Sequence, residues 1–346
     1  MSLPPGLRDR LAELYPEAAI VRVTALRDDE TGGEEMKALG YGRPLKIELS
    51  GGHAVVFHTA RPDDFGHDRR SDRTGNLMLA FDTFGKLPHH VAAIDMGLVR
   101  GDGSLASLTD TGEPYLITSW VDGTLYADDL RRVGTSGVAT PEDIARAETL
   151  ARVLLEIHAV PGSHPGAYTR AIRDLLGHGE GVFGLVDSYP PGAVPAARLR
   201  AIEEACLAWR WRLRERTHRL RRTHGDFHPF NLVFGPRGLV LLDASRGSEG
   251  DPADDVACAT INYPFFGRGQ GLADLWAAFW RVYLAGDTDD VLAAVAPFYA
   301  WRALVLASPI WYPHRAPSDR DRILGFAERA LAAERFDPAW GLEAMA

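Results

Sequence analysis

The stretch that decides the fold is His224-Gly225-Asp226-Phe227-His228-Pro229-Phe230-Asn231, followed by Leu239-Val240-Leu241-Leu242-Asp243. Its chemistry-bearing residues Asp226, Asn231 and Asp243 are spaced five and then twelve apart. Residues 231–234 and 239–243 read as two short apolar strands around the turn Gly235-Pro236. That hairpin brings the three residues to one end of the strand pair. A carboxylate able to accept a hydrogen bond from a hydroxyl, beside an amide and a carboxylate offering oxygen to Mg²⁺, is a donor set that phosphoryl transfer uses.

Two further segments lie to either side. Thr140-Pro141-Glu142-Asp143 reads as a helix start, with an N-cap, a proline at the first helical position and an acid at the third. The helix runs to about residue 159, carries Leu150, Val153, Leu154 and Ile157 on one face, and ends in Leu155-Glu156-Ile157-His158. Downstream of the hairpin stands Gly250-Asp251-Pro252-Ala253-Asp254-Asp255-Val256-Ala257. With these motifs together, over roughly residues 115–265, the chain resembles the aminoglycoside phosphotransferase family, a branch of the protein-kinase-like fold.

The resemblance implies an α+β bilobal architecture. It places a small strand-rich nucleotide-binding lobe at residues 1–121 and a larger, mainly helical catalytic and substrate-binding lobe at 122–346. It implies ATP and Mg²⁺ as cofactors. Asp226 would orient the substrate hydroxyl and take its proton, Asn231 and Asp243 would hold Mg²⁺, and His224 and Asp255 would support the loop. Ser119-Trp120-Val121 falls where the family's hinge binds adenine through backbone groups.

The first third of the sequence agrees in the order of its elements. Strands are expected over 19–26, 44–49 and 53–60, a helix over 68–84, a hairpin from 91–100 and 105–108 around Gly101-Asp102-Gly103, and a last strand over 115–121. The kinase-like fold places a cation, usually Lys, on its third strand. Here that slot holds His58, with Asp68 or Asp72 as an acidic partner. Lys46 on the preceding strand and Arg61 just past the third are the other candidates. A two-residue Gly51-Gly52 turn sets Lys46 opposite Phe57 and on the face away from His58, whereas a three-residue loop shifts the register and brings Lys46 opposite His58. The acidic loop Asp28-Asp29-Glu30-Thr31-Gly32-Gly33-Glu34-Glu35 would repel phosphates, so either Gly40-Tyr41-Gly42 covers them instead or nucleotide affinity is reduced.

Composition bounds the function. The 346 residues carry 38 basic and 47 acidic side chains, a net charge of −9, which argues against general nucleic-acid or anionic-membrane binding and is compatible with a cationic substrate. The only lysines are Lys37, Lys46 and Lys86; every other basic residue is arginine. Two cysteines and an N-terminus without a signal-like apolar core lead to an expectation of a cytoplasmic protein.

Competing readings attach to several residues. His224, Asp226 and His228 could form a transition-metal site. Nine arginines between residues 198 and 222 could face nucleic acid, but their spacing fits the solvated side of a helix expected over 196–222. Asp254 reads as a solvated acid at a helix start, and Trp301 and Tyr299 as core with an occasional pocket role. The expectation is an ATP- and Mg²⁺-dependent phosphotransferase acting on a hydroxyl of a small molecule (aminoglycoside-like, sugar or amino alcohol). The alternative is a kinase-like binding module with weak or no transfer activity.

Overall fold

The computed structural model describes residues 3–26, 44–63, 66–244 and 246–346. The chain divides into two compact units, Met1–Thr118 and Ser119–Ala346. The acidic loop at 28–35, Lys37 and Gly40-Tyr41-Gly42 lie outside the described residues.

In the first unit, helix α1 (Pro5–Leu14) precedes an antiparallel sheet of β1 (Ile20–Ala25), β2 (Leu45–Leu49) and β3 (Ala54–Phe57). The period-two pattern of β2 buries Leu45, Ile47 and Leu49 and turns Lys46 and Glu48 to the other face. Ile47 and Leu49 pack with Leu7 and Leu11 of α1 into a small core. The β2–β3 connection is a three-residue turn, Ser50–Gly52, in which Gly51 and Gly52 take φ of 81° and 84°, where a side chain would be strained. Helix α2 (Arg70–Phe84) follows, then the hairpin of β4 (Gly97–Val99) and β5 (Leu105–Ser107). Arg10 of α1 clamps Asp95 through Nε and Nη2 at 2.8 and 3.0 Å, tying the helix to the start of this hairpin.

The strand expected over residues 115–121 does not form. Among the described residues that segment pairs with no strand, and Tyr115, Leu116 and Ile117 are exposed. An apolar run becomes a strand only where its backbone finds a ladder partner.

The second unit holds the larger core. A three-stranded antiparallel sheet in the order β6 (Thr124–Leu125), β8 (Leu232–Gly235), β9 (Gly238–Leu241) includes the expected hairpin, with Leu232 opposite Leu241. Strands β7 (Arg221–Arg222) and β10 (Glu249–Gly250) form a separate pair. Helices α3 (Tyr126–Ser136), α4 (Pro141–His158), α5 (Pro165–Gly177), α6 (Val182–Ser188) and α7 (Ala196–Leu213) come before the hairpin. After it come α8 (Pro252–Thr260), α9 (Asn262–Phe266), α10 (Gln270–Gly286), α11 (Ala296–Ala307), α12 (Pro317–Ala332) and α13 (Ala339–Met345). Helix α4 starts as its sequence dictates: Thr140 Oγ1 accepts from the Asp143 N–H, and Asp143 Oδ2 accepts from the Thr140 N–H at 2.8 Å.

The helix expected over 196–222 stops at Leu213. Beyond it Arg219 turns inward to a bidentate ion pair with Asp251 at 2.7 and 2.8 Å, and Arg221–Arg222 enter the β7–β10 ladder. A continued helix would supply neither geometry. Among the described residues no helix is long and apolar enough to cross a membrane.

Candidate active site

The loop from His224 to Asn231 is held at its start by a buried carboxylate. Asp255, in the first turn of α8, accepts the backbone N–H groups of His224 and Gly225, each at 2.7 Å. The same carboxylate meets His158 Nε2 at 3.1 Å, and His158 Nδ1 meets the Tyr283 hydroxyl at 2.9 Å. Helices α4, α8 and α10 therefore converge on the loop through one hydrogen-bonded chain. Asp251 caps α8 by accepting the Ala253 N–H at 3.0 Å, with Pro252 at the first helical position. Capping by Asp251 and anchoring by Asp255 explain why Gly-Asp-Pro and the following acids share one short segment.

Within the loop the backbone is tightly folded. Gly225 sits at φ 83°, and a Cβ there would lie 3.1 Å from Arg246 Cβ. The Asp226 N–H donates to His224 Nδ1 at 3.3 Å, which leaves the His224 proton on Nε2. His224 is buried and packs edge-on to Phe227. Asn231 Nδ2 donates to the Asp226 carbonyl at 3.1 Å, and the Leu242 N–H donates to the Asn231 carbonyl at 2.8 Å. That last bond ties the loop to the strand leading to Asp243. Asp243 is exposed and holds φ of 52°, a left-handed backbone conformation that a non-glycine residue adopts at a cost.

Asp226 is the centre of the charge arrangement. Arg302 of α11 donates from Nη1 to Asp226 Oδ1 at 2.7 Å, and from Nη2 to Asp254 Oδ1 at 2.7 Å and to the Gly225 carbonyl at 2.9 Å. His228 Nε2 lies 3.4 Å from Asp226 Oδ2. His228 Nδ1 accepts the Phe230 N–H at 3.1 Å, so its ring proton is on the nitrogen facing Asp226. Burial pushes the Asp226 carboxyl up, but His228 and the Arg302 and Arg246 charges more than offset this and hold it well below the usual carboxylate range. Its neighbour Asp254 goes the other way. Burial, with Asp255 adjacent, pushes it up to about 6 in spite of Arg302. Asp254 is thus an ion-pair partner of Arg302 rather than the solvated acid its helix-start position suggests.

Asp226 opens onto a partly open cavity of about 450 Å³ in the second unit. Its walls come from the α5–α6 connection, α6, the loop, Arg246, the α8–α9 junction, α11 and the segment after α11. The aromatic groups lining it are Phe230, Trp311 and Tyr312. Trp301, expected as core, is buried behind the wall, with Arg302 and Arg246 over its ring at 3.9 and 4.3 Å. Sequence reasoning did not find Arg302. The signal was present: it is the only charged residue in the twelve-residue apolar helix Ala296–Ala307.

The residues expected to meet nucleotide show a different register from the simplest one. The three-residue turn sets Lys46 opposite Val56, neither Phe57 nor the His58 expected for a three-residue loop. Lys46 then shares the face of even-numbered β3 residues, and its ammonium pairs with Glu48 on its own strand at 2.6 Å. His58 lies one residue past β3 and is exposed, as is Arg61. Ser119, Trp120 and Val121 lie on irregular backbone at the start of the second unit, and Trp120 Nε1 donates to Asp122 at 2.8 Å.

Among the described residues no group of three or more His, Cys, Asp or Glu is placed to hold a metal, so the His224–Asp226–His228 alternative finds no support. The donor set of Asn231 and Asp243 suits Mg²⁺. With Nδ2 committed to the loop, Asn231 Oδ1 makes no hydrogen bond among the described residues, and neither does the exposed Asp243 carboxylate. Mg²⁺ commonly binds through one or two protein oxygens plus substrate phosphates and waters.

Known proteins can now be set beside this geometry. Among curated proteins none matches the sequence significantly. Solved structures similar to the chain include the choline kinase LicA from Streptococcus pneumoniae (14% identity, 94% of this chain and 97% of that one, TM-score 0.37). A microcompartment-associated aminopropanol kinase (14%, 98% and 98%, TM-score 0.38) and the amicoumacin kinase hAmiN (10%, 96% and 98%, TM-score 0.41) are further examples. The model of the phosphotransferase enzyme family, APH, matches residues 57–298, running from the last residue of β3 through α2, the whole loop from His224 to Asn231, Asp243 and α8 to the first residues of α11. With that match covering most of its length, the chain belongs to the phosphotransferase enzyme family.

Proposed function

We propose that this phosphotransferase moves the γ-phosphoryl group of ATP to a hydroxyl of a small molecule seated in the cavity beside Asp226. The observation that carries the reading is the Asp226 carboxylate itself: it faces the cavity, while Asp255, Asn231 and Arg302 fix the loop around it. The substrate hydroxyl donates to Asp226, which directs its oxygen lone pair at the phosphorus. As the O–P bond forms and the bond to the ADP oxygen breaks, the hydroxyl becomes strongly acidic and its proton passes to Asp226. A carboxylate held this far below the usual range is a weak base, so its main work is orientation. A loose phosphoryl-transfer transition state asks little more of it.

Asn231 Oδ1 and Asp243 are the residues that would hold Mg²⁺, which when bound supplies charge neutralisation to the nucleotide phosphates. His224 and Asp255 keep the loop in place. Adenine recognition is assigned to the backbone of Ser119, Trp120 and Val121, and phosphate contact to Lys46 or His58. Lys46 paired with Glu48 favours a second reading, a kinase-like module that binds ligand with little transfer. A nucleotide-consumption screen with Mg²⁺ against alcohols of varied charge separates the two. Acceptor-dependent ADP release supports transfer; ligand binding without ADP release supports the module.

A further inference from the structure

Among the described lining residues the formal charges balance, and each acid has a guanidinium neighbour. Four of the described lining residues carry formal charge: Glu180, Asp226, Arg246 and Arg302. Asp226 is paired to Arg302 at 2.7 Å, and Glu180 to Arg246 at 3.5 Å. Behind the wall, Asp254 takes the other end of the same Arg302 guanidinium. A substrate ammonium entering this space meets no unpaired carboxylate among the described lining residues, and it passes two guanidinium groups. Recognition of a polycation normally needs the reverse, a surplus of acids focused in the cleft.

The rest of the wall is apolar. Leu185, Ile261, Val305 and Leu306 line it from the helices. Ile310 and Trp311 line it from the segment after α11 and are 54% and 61% exposed. An exposed Trp beside an exposed Ile on a cavity wall is a flat platform waiting for a partner ring, because each loses water-exposed area when covered.

We infer that the acceptor is an uncharged hydroxyl compound carrying a flat apolar or aromatic portion that packs on Trp311 and Ile310, and not a polyamine. The inference rests on the phosphotransfer reading above for the word acceptor, but its binding test stands apart from turnover. Arg246 and Glu180 act as the charge filter, and Trp311 as the ring platform.

The test uses calorimetric titration of the full chain with two probes, p-nitrophenyl β-D-glucopyranoside and kanamycin, each at low and high salt. The neutral aryl glucoside binds with the same Kd at both ionic strengths, since no ion pair is screened. Trp311→Ala weakens it by about tenfold, the scale of losing a buried aromatic anchor. Kanamycin shows no saturable binding to the wild type. Arg246→Ala, which frees Glu180, gives kanamycin a weak, salt-sensitive affinity. Salt-sensitive kanamycin binding to the wild type overturns the inference, as does aryl glucoside binding that Trp311→Ala leaves unchanged, or no binding of the glucoside at all. Parallel ADP assays keep the two proposals distinguishable. Glucoside binding without ADP release refutes phosphotransfer to this class and leaves the pocket reading standing; turnover of kanamycin does the reverse.

Discussion

Arg302→Met removes the cation on which two carboxylates depend while keeping most of the side-chain volume. Arg302 is 7% exposed and makes bonds of 2.7, 2.7 and 2.9 Å to Asp226, Asp254 and the Gly225 carbonyl. Breaking a buried ion pair from one side costs about 3–5 kcal/mol, because the stranded charge stays out of water. That is a large part of a typical stability of about 5–15 kcal/mol. The cost should depend on pH with a defined sign. Asp254 already sits at about 6 with Arg302 present, and removing a positive neighbour moves both carboxyls further up. The native variant then binds more protons than its unfolded chain above the ordinary Asp range, so its stability falls as pH rises through that window. Urea denaturation followed by circular dichroism should show a deficit at about pH 8 larger than at about pH 5 by roughly 1–2 kcal/mol. Adding Asp254→Asn should recover part of the loss at the higher pH. A deficit below about 1 kcal/mol, or one identical at both pH values, would refute the claim that Arg302 neutralises these two acids.

Other expectations follow from the same contacts. Asp254→Asn alone should remove a limb near pH 6 from the pH profile of kcat, since its carboxyl titrates there against Arg302; an unchanged limb would assign it elsewhere. Gly225→Ala should destabilise the loop by about 1–2 kcal/mol, from the positive φ and the approach to Arg246 Cβ, and should raise urea sensitivity without touching the nucleotide-side residues. His58→Ala and Lys46→Ala, compared by nucleotide titration, should lower affinity in one case and not the other, identifying which side chain meets the phosphates. Wild-type affinity in both variants would remove the two residues from that role.

The parts of the fold that were legible in the sequence are those built from local rules. Thr140-Pro141-Glu142-Asp143 starts α4 by a cap that needs only neighbours. The 232–235 and 238–241 hairpin follows from a turn between two apolar runs. Residues 115–121 had the right composition for a strand but no ladder partner, and composition cannot supply one. The end of α7 was set by Arg219 reaching Asp251, 32 positions away. For the site, Asp226, Asn231, Asp243 and Asp255 were visible because they lie within one motif-rich span. Arg302 lies 76 positions beyond Asp226 and announces itself only as a lone charge in an apolar helix. The cavity wall from Gly179 and Glu180 left no periodic pattern to read. The residue that faces Lys46 across the β2–β3 pair, Val56, depended on one extra turn residue, whereas its pairing with Glu48 lies along a single strand.

The most direct test of the central claim is Asp226→Ala, assayed in parallel for acceptor-dependent ADP release and for ATP·Mg²⁺ binding by calorimetry. If Asp226 orients the substrate hydroxyl, turnover falls by at least about 10²-fold while the nucleotide Kd changes by less than about threefold. Turnover close to that of the wild type would contradict the account.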